Sequence, residues 1–231
     1  MDKAENLQHK QARLYVVSTP IGNLDDVSKR ALYILRSVDI VACEDTRVTK
    51  KIFAKFGISN ETVALHQHSG NEKEQKLLKE ILNGKSVALV TDAGTPAISD
   101  PGSVFVAKAA RLGVNIVPIP GPSAVTAALS ICGFPTNVFT FIGFPPNKKG
   151  RNKFFARIAE IDHTVVLYES KHRIIKTLSQ LPGDRQLMVA RELTKIYETI
   201  YRGMRDDIIK ALENGSQKGE FTIVIAPKEY E

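Results

Sequence analysis

The sequence predicts an α/β fold in two domains, each a sheet dressed with helices. Three observations carry that expectation. Through the first half, short apolar runs of β-forming type alternate with runs of helical periodicity. The rhythm breaks at Pro118-Ile119-Pro120-Gly121-Pro122-Ser123, three prolines and a glycine in six residues, which reads as a hinge between two halves. Beyond it, strands follow one another without a long helix between all of them. The expected division is therefore 1–120, with a mainly parallel sheet, and 121–231, with a mixed sheet.

The first strand is Arg13–Ser18, followed by a turn at Thr19–Asn23. Asp25 and Asp26 are placed to cap a helix whose apolar face is Val27, Ala31, Leu32 and Leu35. Val38–Cys43 is a second strand, ending in the charge cluster Glu44-Asp45-Thr46-Arg47. A helix runs on to Phe56, where Gly57 stops it. Thr62–Leu65 is a short strand, and Ser69-x-x-Glu72 is a capping box opening a helix on Leu77, Leu78, Ile81 and Leu82. Ser86–Val90 and Val114–Val117 are strands on either side of a helix that ends at Leu112, with Asp100 as its expected N-cap and Pro101 at the first helical position. After the hinge, Ala124–Ile131 is a helix of small residues. Strands are expected near 138–142, 164–168, 186–190, 198–201 and 221–225, and helices near 149–160, 171–181 and 204–213.

Bulk properties narrow the class. With 231 residues, 43% hydrophobic and 25% charged, the chain can bury a core without staples. No apolar run reaches the ~20 residues of a membrane span, and the polar opening MDKAENLQHK is not a signal peptide. Cys43 and Cys132 stand far apart in apolar contexts and read as free core thiols of a cytoplasmic protein. A net charge of +7 favours an anionic partner. The densest basic run is PPNKKGRNKFFAR, where Lys148, Lys149, Arg151, Lys153 and Arg157 occur without an acid and Phe154 and Phe155 are interleaved. That run is a candidate phosphate-tracking patch.

The stretch with the strongest ligand signal is Asp92-Ala93-Gly94-Thr95-Pro96-Ala97-Ile98-Ser99-Asp100. It leaves the C-terminal end of a strand and enters a helix, the place where open α/β sheets hold their ligands. Common nucleotide motifs are missing. Gly84-Lys85-Ser86 has Lys79 where a P-loop needs glycine, and a strand follows it; no G-x-G-x-x-G occurs anywhere. His66-x-His68 lacks a third ligand by spacing, so no metal is expected. What remains is a family of strand-tip segments rich in Pro, Gly and small polar residues. Together they suggest a cleft lined by carbonyls, hydroxyls and charges of both signs, suited to a zwitterionic ligand.

Eight segments in order bear a specific resemblance. They are Pro20-Ile21-Gly22-Asn23-Leu24, Glu44-Asp45-Thr46-Arg47, the Asp92–Gly102 loop, Pro118-x-Pro120-Gly121-Pro122-Ser123-Ala124, Gly143-Phe144, Tyr168-Glu169-Ser170-x-His172-Arg173, Arg191-Glu192-Leu193-Thr194-Lys195 and Lys218-Gly219-Glu220. The series resembles the bacterial 16S ribosomal RNA (cytidine 2′-O-ribose) methyltransferases, a branch of the tetrapyrrole methylase superfamily, from about Leu14 to Ile225. The resemblance implies two α/β domains with S-adenosylmethionine in the cleft between them, a homodimer, and methylation of a ribose 2′-hydroxyl in the decoding region of the small ribosomal subunit. By position, Pro20, Asp92, Gly94, Thr95, Ser123 and Ala124 would line the cofactor, with Tyr168 and Arg191–Leu193 approaching from the second domain. Lys171 departs from the family, which usually has proline there, and many members continue beyond the position of Glu231.

Methyl transfer to a hydroxyl needs alignment and a base. Glu44, Asp45 and Glu192 are the carboxylates placed for it, with Lys195 as a further base if burial lowers its pKa. Arg47, Arg191 and Lys195 are equally suited to hold RNA phosphates. Rival readings are a methylase of small tetrapyrroles and a non-catalytic RNA-binding relative.

Overall fold

Period-two alternation in the first five strands decides which helix each residue meets. A computed structural model of the chain describes residues 13–65, 71–100 and 102–230. It divides into two compact units that part between Ser123 and Ala124. In the first, strands β1 (Arg13–Val17), β2 (Ile40–Cys43), β3 (Thr62–Ala64), β4 (Val87–Val90) and β5 (Asn115–Ile119) pair in the order β3-β2-β4-β1-β5, all parallel. Helices α1 (Lys29–Ser37), α2 (Thr46–Phe56), α3 (Asn71–Leu82) and α4 (Ser103–Arg111) cover it. Tyr15, Val17, Val41, Cys43, Ala88 and Val90 point to α1 and α2, meeting Ala31, Ile34, Leu35 and Phe53. Their neighbours Leu14, Ile40, Ala42, Val87 and Leu89 point the other way, to Leu77, Leu78 and Ile81 of α3 and Phe105 and Ala109 of α4. Such strands, buried on both faces, read as continuous apolar runs.

This order has a consequence for the C-terminal edge. β1 and β2 each lead into a helix on one face, whereas β4, lying between them, leads into α4 on the other. The loop after β4 therefore stands at a topological switch point on both of its sides, where the edge of a parallel sheet opens into a crevice. Pro118 belongs to β5 and pairs with Val16, which an edge strand tolerates; the break in regular structure is confined to Pro120–Ser123.

Two helix starts differ from expectation. Asp25 and Asp26 lie in a short 3-10 turn capped by Asn23, and Ser28 is the cap of α1, accepting from the Ala31 N–H at 3.0 Å. Asp100 is not the N-cap of α4: that position is Gly102, at φ 117°, and no side chain caps the helix. Ser69 of the expected capping box, His66, His68 and Pro101 lie outside the described residues. Gly57 ends α2 in the left-handed conformation, as its sequence position predicts.

The second unit is a mixed sheet of β6 (Phe139–Phe141), β7 (Thr164–Ser170), β8 (Gln186–Arg191), β9 (Thr199–Met204) and β10 (Glu220–Ile225), in the order β6-β7-β10-β8-β9. Only β6 and β7 pair in parallel. Helices α6 (Arg151–Glu160), α7 (Ile174–Leu178) and α8 (Arg205–Asn214) bury Phe155, Ile158, Ile174, Leu178, Ile208 and Leu212 on one face. Helix α5 (Ala124–Cys132) packs on β10 and β7 with residues outside that cluster. α7 is shorter than the 171–181 expected, because residues 171–173 form a turn held by Arg173. Cys43 and Cys132 are buried free thiols, and burial raises the Cys43 pKa above its ordinary value.

Arg185 is 2% exposed and ties the bottom of this unit together. Its guanidinium donates to the carbonyls of Ala226 at 2.6 Å, Ile161 at 3.0 Å, His163 at 3.1 Å and Ile158 at 3.3 Å. Arg185→Met keeps the apolar stem and strands these acceptors. At ~1–3 kcal/mol for each buried group left unpaired, the substitution is expected to lower stability by ~3 kcal/mol or more. Urea unfolding checks this as a lower midpoint at unchanged slope.

Candidate active site

The C-terminal edge of the parallel sheet is stitched from backbone outward. After β1, the Thr19 N–H donates to the Gly94 carbonyl at 2.8 Å, and the Gly94 N–H returns to the Thr19 carbonyl at 3.1 Å. The Thr19 hydroxyl adds a bond to the Thr91 carbonyl at 3.0 Å. Gly94 sits at φ 84°, a left-handed backbone that glycine adopts without steric cost. The Thr95 hydroxyl lies 2.9 Å from the Ser18 hydroxyl and donates to the Pro122 carbonyl at 3.3 Å. Gly121 lies so near that a Cβ there would come within 2.9 Å of the Ser18 Cβ. Pro20, Asp92, Gly94, Thr95 and Ser123 thus belong to loops at one edge of one sheet, three of which are bonded to each other.

Three carboxylates gather beside them at the tips of β2 and β4, and their surroundings separate them. Asp45 is the N-cap of α2: its Oδ1 accepts the Arg47 N–H at 2.8 Å, and the Arg47 guanidinium pairs with Oδ2 at 2.6 Å. Those two bonds from Arg47, side chain then backbone, pull Asp45 down to about 2, and Asp45 in turn raises Arg47. Asp92 accepts the Asp45 N–H at 3.0 Å. Its carboxyl is raised, chiefly by burial and also by the charges of Glu44 and Asp45. Glu44 is held by a neutral group, the Thr91 hydroxyl, at 2.9 Å. Thr91 is the residue that reasoning from sequence misses, although it directly precedes Asp92 at the strand tip. Asp45 is a poor general base, being both a helix cap and a strongly acidic carboxyl.

In the second unit, β7 and β8 run in the same direction on either side of β10, so their C-terminal ends meet the start of β10 at one edge. Lys195 pairs with Glu192 and Glu220, each at 2.9 Å. Burial works to lower the Lys195 pKa, but its bonds to Glu220 and Glu192 outweigh it and the net shift is upward. The condition set for Lys195 as a base, a pKa lowered by burial, is not met. For Glu192, burial works upward and the Lys195 bond, the Glu220 N–H and nearby positive charge prevail, so it is lowered. Arg191 is 8% exposed, with its guanidinium on the carbonyls of Lys218 and Tyr197 and the hydroxyls of Thr199 and Ser216. Its side chain is a brace for the loop, unavailable to phosphate or cofactor. Leu193 is buried, and Tyr168 packs edge-on against Phe141 at 4.9 Å and near Phe144 at 5.4 Å. Among the described residues, non-glycine backbone at positive φ occurs in two segments only: Ala97 and Ser99 after β4, Glu192 and Thr194 after β8. Such strain collects at functional loops.

The basic run also needs one correction. Lys148, Lys149, Lys153 and Arg157 are exposed. Arg151 is 5% exposed, bonded to Gln180, Thr177 and the Pro146 carbonyl and stacked 4.9 Å from the Phe155 ring centre, so it carries no phosphate. Glu169, 1% exposed, pairs with Arg173 at 2.9 Å and accepts from Thr177. The Tyr168–Arg173 segment is in large part this buried polar network.

Residues 13–209 match the model of the Tetrapyrrole (Corrin/Porphyrin) Methylases, and the chain belongs to that family: it is an S-adenosylmethionine-dependent methyltransferase. Among its relatives, the ribosomal RNA small subunit methyltransferase I of Vibrio cholerae is 47% identical over 219 residues, covering 92% of this chain and 76% of that protein. The enzyme of the same name from Xylella fastidiosa is 43% identical over 219 residues, covering 92% and 80%. The crystal structure of diphthine synthase superposes with a TM-score of 0.69 at 18% identity, covering 93% of this chain and 90% of that one, which shows the shared fold. The edge described above fits the family's cofactor. The glycines at 94 and 121 serve the packing of the loops themselves, through a left-handed backbone and contact with Ser18, and the carbonyls, hydroxyls and carboxylate of this edge suit a ligand bearing an ammonium, a sulfonium and ribose hydroxyls.

Asp92 carries a prediction with a definite sign. Its folded-state pKa lies above that of an unfolded aspartate, so its charged form opposes folding at pH values above the folded pKa. The penalty fades as pH falls through that value and is gone below the unfolded pKa of ~3.9. Asp92→Asn retains an acceptor for the Asp45 N–H and removes the charge. At pH 7 its urea midpoint is expected to equal or exceed that of the parent, with any advantage shrinking towards pH 4, while its S-adenosylmethionine affinity falls. Paired unfolding and calorimetric titrations check both halves.

Proposed function

We propose that the protein methylates small-subunit ribosomal RNA, at the ribose 2′-hydroxyl of a cytidine in the decoding region of 16S rRNA. The observation that carries the substrate class is the 47% identity to the Vibrio cholerae enzyme over 92% of the chain. When bound, S-adenosylmethionine supplies an activated methyl group on a positively charged sulfur. Pro20, Asp92, Gly94, Thr95 and Ser123 would hold it from the first unit, and Ala124, Tyr168 and the backbone of Arg191–Leu193 from the second. A homodimer and a cofactor cleft between the two units complete this reading.

The chain's own work is alignment and proton removal. Holding the reacting groups in line contributes up to ~7–11 kcal/mol in ideal cases. Glu44 is the preferred base. Its carboxylate stands at the sheet edge and is oriented by the neutral Thr91 hydroxyl, whereas Arg47 holds Asp45 and Lys195 holds Glu192. Glu44 would take the hydroxyl proton as the ribose oxygen gains its bond to the methyl carbon, the electron pair of the broken carbon–sulfur bond staying on a then neutral sulfur. Lys148, Lys149, Lys153 and Arg157 are exposed and suited to RNA phosphates.

The deciding experiment offers labelled S-adenosylmethionine with three acceptors: assembled small subunits, naked 16S RNA and a tetrapyrrole. Label in an alkali-resistant dinucleotide of the RNA is expected, the mark of 2′-O-methylation. Label in the tetrapyrrole, or on a base, would overturn the reading, and cofactor binding without transfer to any of them would favour a silent RNA-binding protein. On the active acceptor, Glu44→Gln is expected to lower kcat by ~10²–10⁴-fold with cofactor affinity unchanged. A full-rate variant would place the base elsewhere.

A further inference from the structure

The helices on the two faces of the parallel sheet differ sharply in charge. α3 carries three acidic and three basic residues, and Lys108 of α4 is paired with Glu74 of α3 at 2.5 Å. On the opposite face, α1 (KRALYILRS) and α2 (TRVTKKIFAKF) hold seven basic residues and no acidic one. Burial of Ala31, Ile34 and Leu35 turns Lys29, Arg30 and Arg36 outward. Burial of Thr49, Ile52 and Phe53 does the same for Lys50, Lys51 and Lys55. The two helices are linked directly, since the Arg36 guanidinium donates to the Phe56 carbonyl at 2.7 Å. Lys55 is neutralised by Asp25 at 2.6 Å. Among the described residues, Lys29, Arg30, Lys50 and Lys51 form no ion pair, and Tyr33 lies among them 53% exposed.

Arg36, Arg47 and Lys55 have structural partners, whereas no ion pair accounts for the other four basic residues among the described residues. Arg47, Lys51 and Lys55 are spaced at i, i+4 along one side of α2; Arg47 is paired with Asp45 and Lys55 with Asp25, and Lys51 between them is in no ion pair among the described residues. α2 also begins at Asp45, so its basic face starts beside Glu44 and Asp92 and runs outward from the carboxylate cluster. A predominantly cationic surface with an interleaved aromatic, leading away from the reacting edge, matches the phosphate backbone of folded RNA.

We infer that the outer face of α1 and α2 is a second RNA-docking surface, distinct from the 148–157 run, which holds the phosphate backbone of structured ribosomal RNA while Glu44 faces the target ribose. This rests on the rRNA methylase reading. Phosphate contacts release counterions and so set the salt dependence of binding, and each lost contact flattens the slope of log affinity against log salt by about one.

The test compares the parent protein with the triple reversal R30E/K50E/K51E, measuring KM for small subunits and its salt dependence. The control K76E/K79E/R111E makes the same charge change on α3 and α4. The α1–α2 variant is expected to raise KM on the order of tenfold or more and flatten the salt slope by about two to three, with cofactor affinity by calorimetry unchanged. The control is expected to match the parent. Should the reversal fold poorly, the milder K50Q/K51Q is expected to move KM and slope the same way. If the parent methylates rRNA and the reversed or neutralised protein keeps its KM and slope, or if the control variant loses as much, the surface is overturned while the rRNA reading stands. If the parent transfers no methyl group to rRNA, the reading falls and this surface with it.

Discussion

The reciprocal backbone bond between Thr19 and Gly94 is the constraint on which the first unit's edge depends. β1 and β4 are neighbours, but their chains leave for opposite faces of the sheet, so their loops diverge unless something ties them. Two N–H···O bonds do so, and the turn they close needs a residue at φ 84°. From that tie, the Thr19 hydroxyl reaches the Thr91 carbonyl, Ser18 reaches Thr95, and Thr95 reaches the carbonyl before Ser123. These bonds fix the end of β4, and β4 supplies both Thr91, which orients Glu44, and Asp92, which holds the Asp45 amide. A pre-ordered edge of this kind lets a ligand bind without the cost of arranging loops.

The second unit solves a related problem with charge. Its sheet is mixed, and β7 and β8, which carry the candidate loops, both pair antiparallel with β10 between them. Buried and half-buried guanidinium groups hold these loops. Arg191 fastens the loop after β8 to residues 197–199 and 216–218, and Arg151 and Arg173 fasten the segment after β7 through Thr177 and Glu169. Arginine suits this because its fork can satisfy several carbonyls at once while staying charged. The positive φ of Glu192 and Thr194 persists because Lys195, Glu220 and Glu198 hold the turn from both sides.

How much of this was legible in the sequence follows from the range of each interaction. Strands buried on both faces and helices ended by glycine announce themselves locally, so the alternation, the parallel and mixed sheets and the free thiols could be read. Caps are local too, yet Asp25, Asp26 and Asp100 misled. Each is a good cap by composition, and the choice went to Ser28 and Gly102 because the strand-tip loops set where each helix begins. The roles of Arg151, Arg191 and Lys195 were out of reach for a different reason. A basic residue in a motif looks the same whether it meets phosphate or a carbonyl 27 residues away, as Arg191 does at Lys218. Burial decides, and burial is a tertiary fact. The charge asymmetry of α1 and α2 was present in the sequence but dispersed over 27 residues, and it becomes a surface only once both helices lie on one face.

The same logic separates the carboxylates. Glu44, Asp45 and Asp92 are chemically alike and close together, and environment alone gives them different work. A carboxylate that accepts a main-chain N–H and a guanidinium is stabilised in its charged form and loses basicity; Asp45 is in that position. A carboxylate partly buried beside two like charges is pushed the other way, and Asp92 shows that shift while anchoring the Asp45 amide. Among the described residues Glu44 meets a hydroxyl, which orients an oxygen without neutralising its charge. Because Asp45 answers to Arg47 and Asp92 answers to Asp45, two of the three negative charges are tied into the scaffold. The third, on Glu44, is oriented by the Thr91 hydroxyl at the edge where loops from three strands have been drawn together.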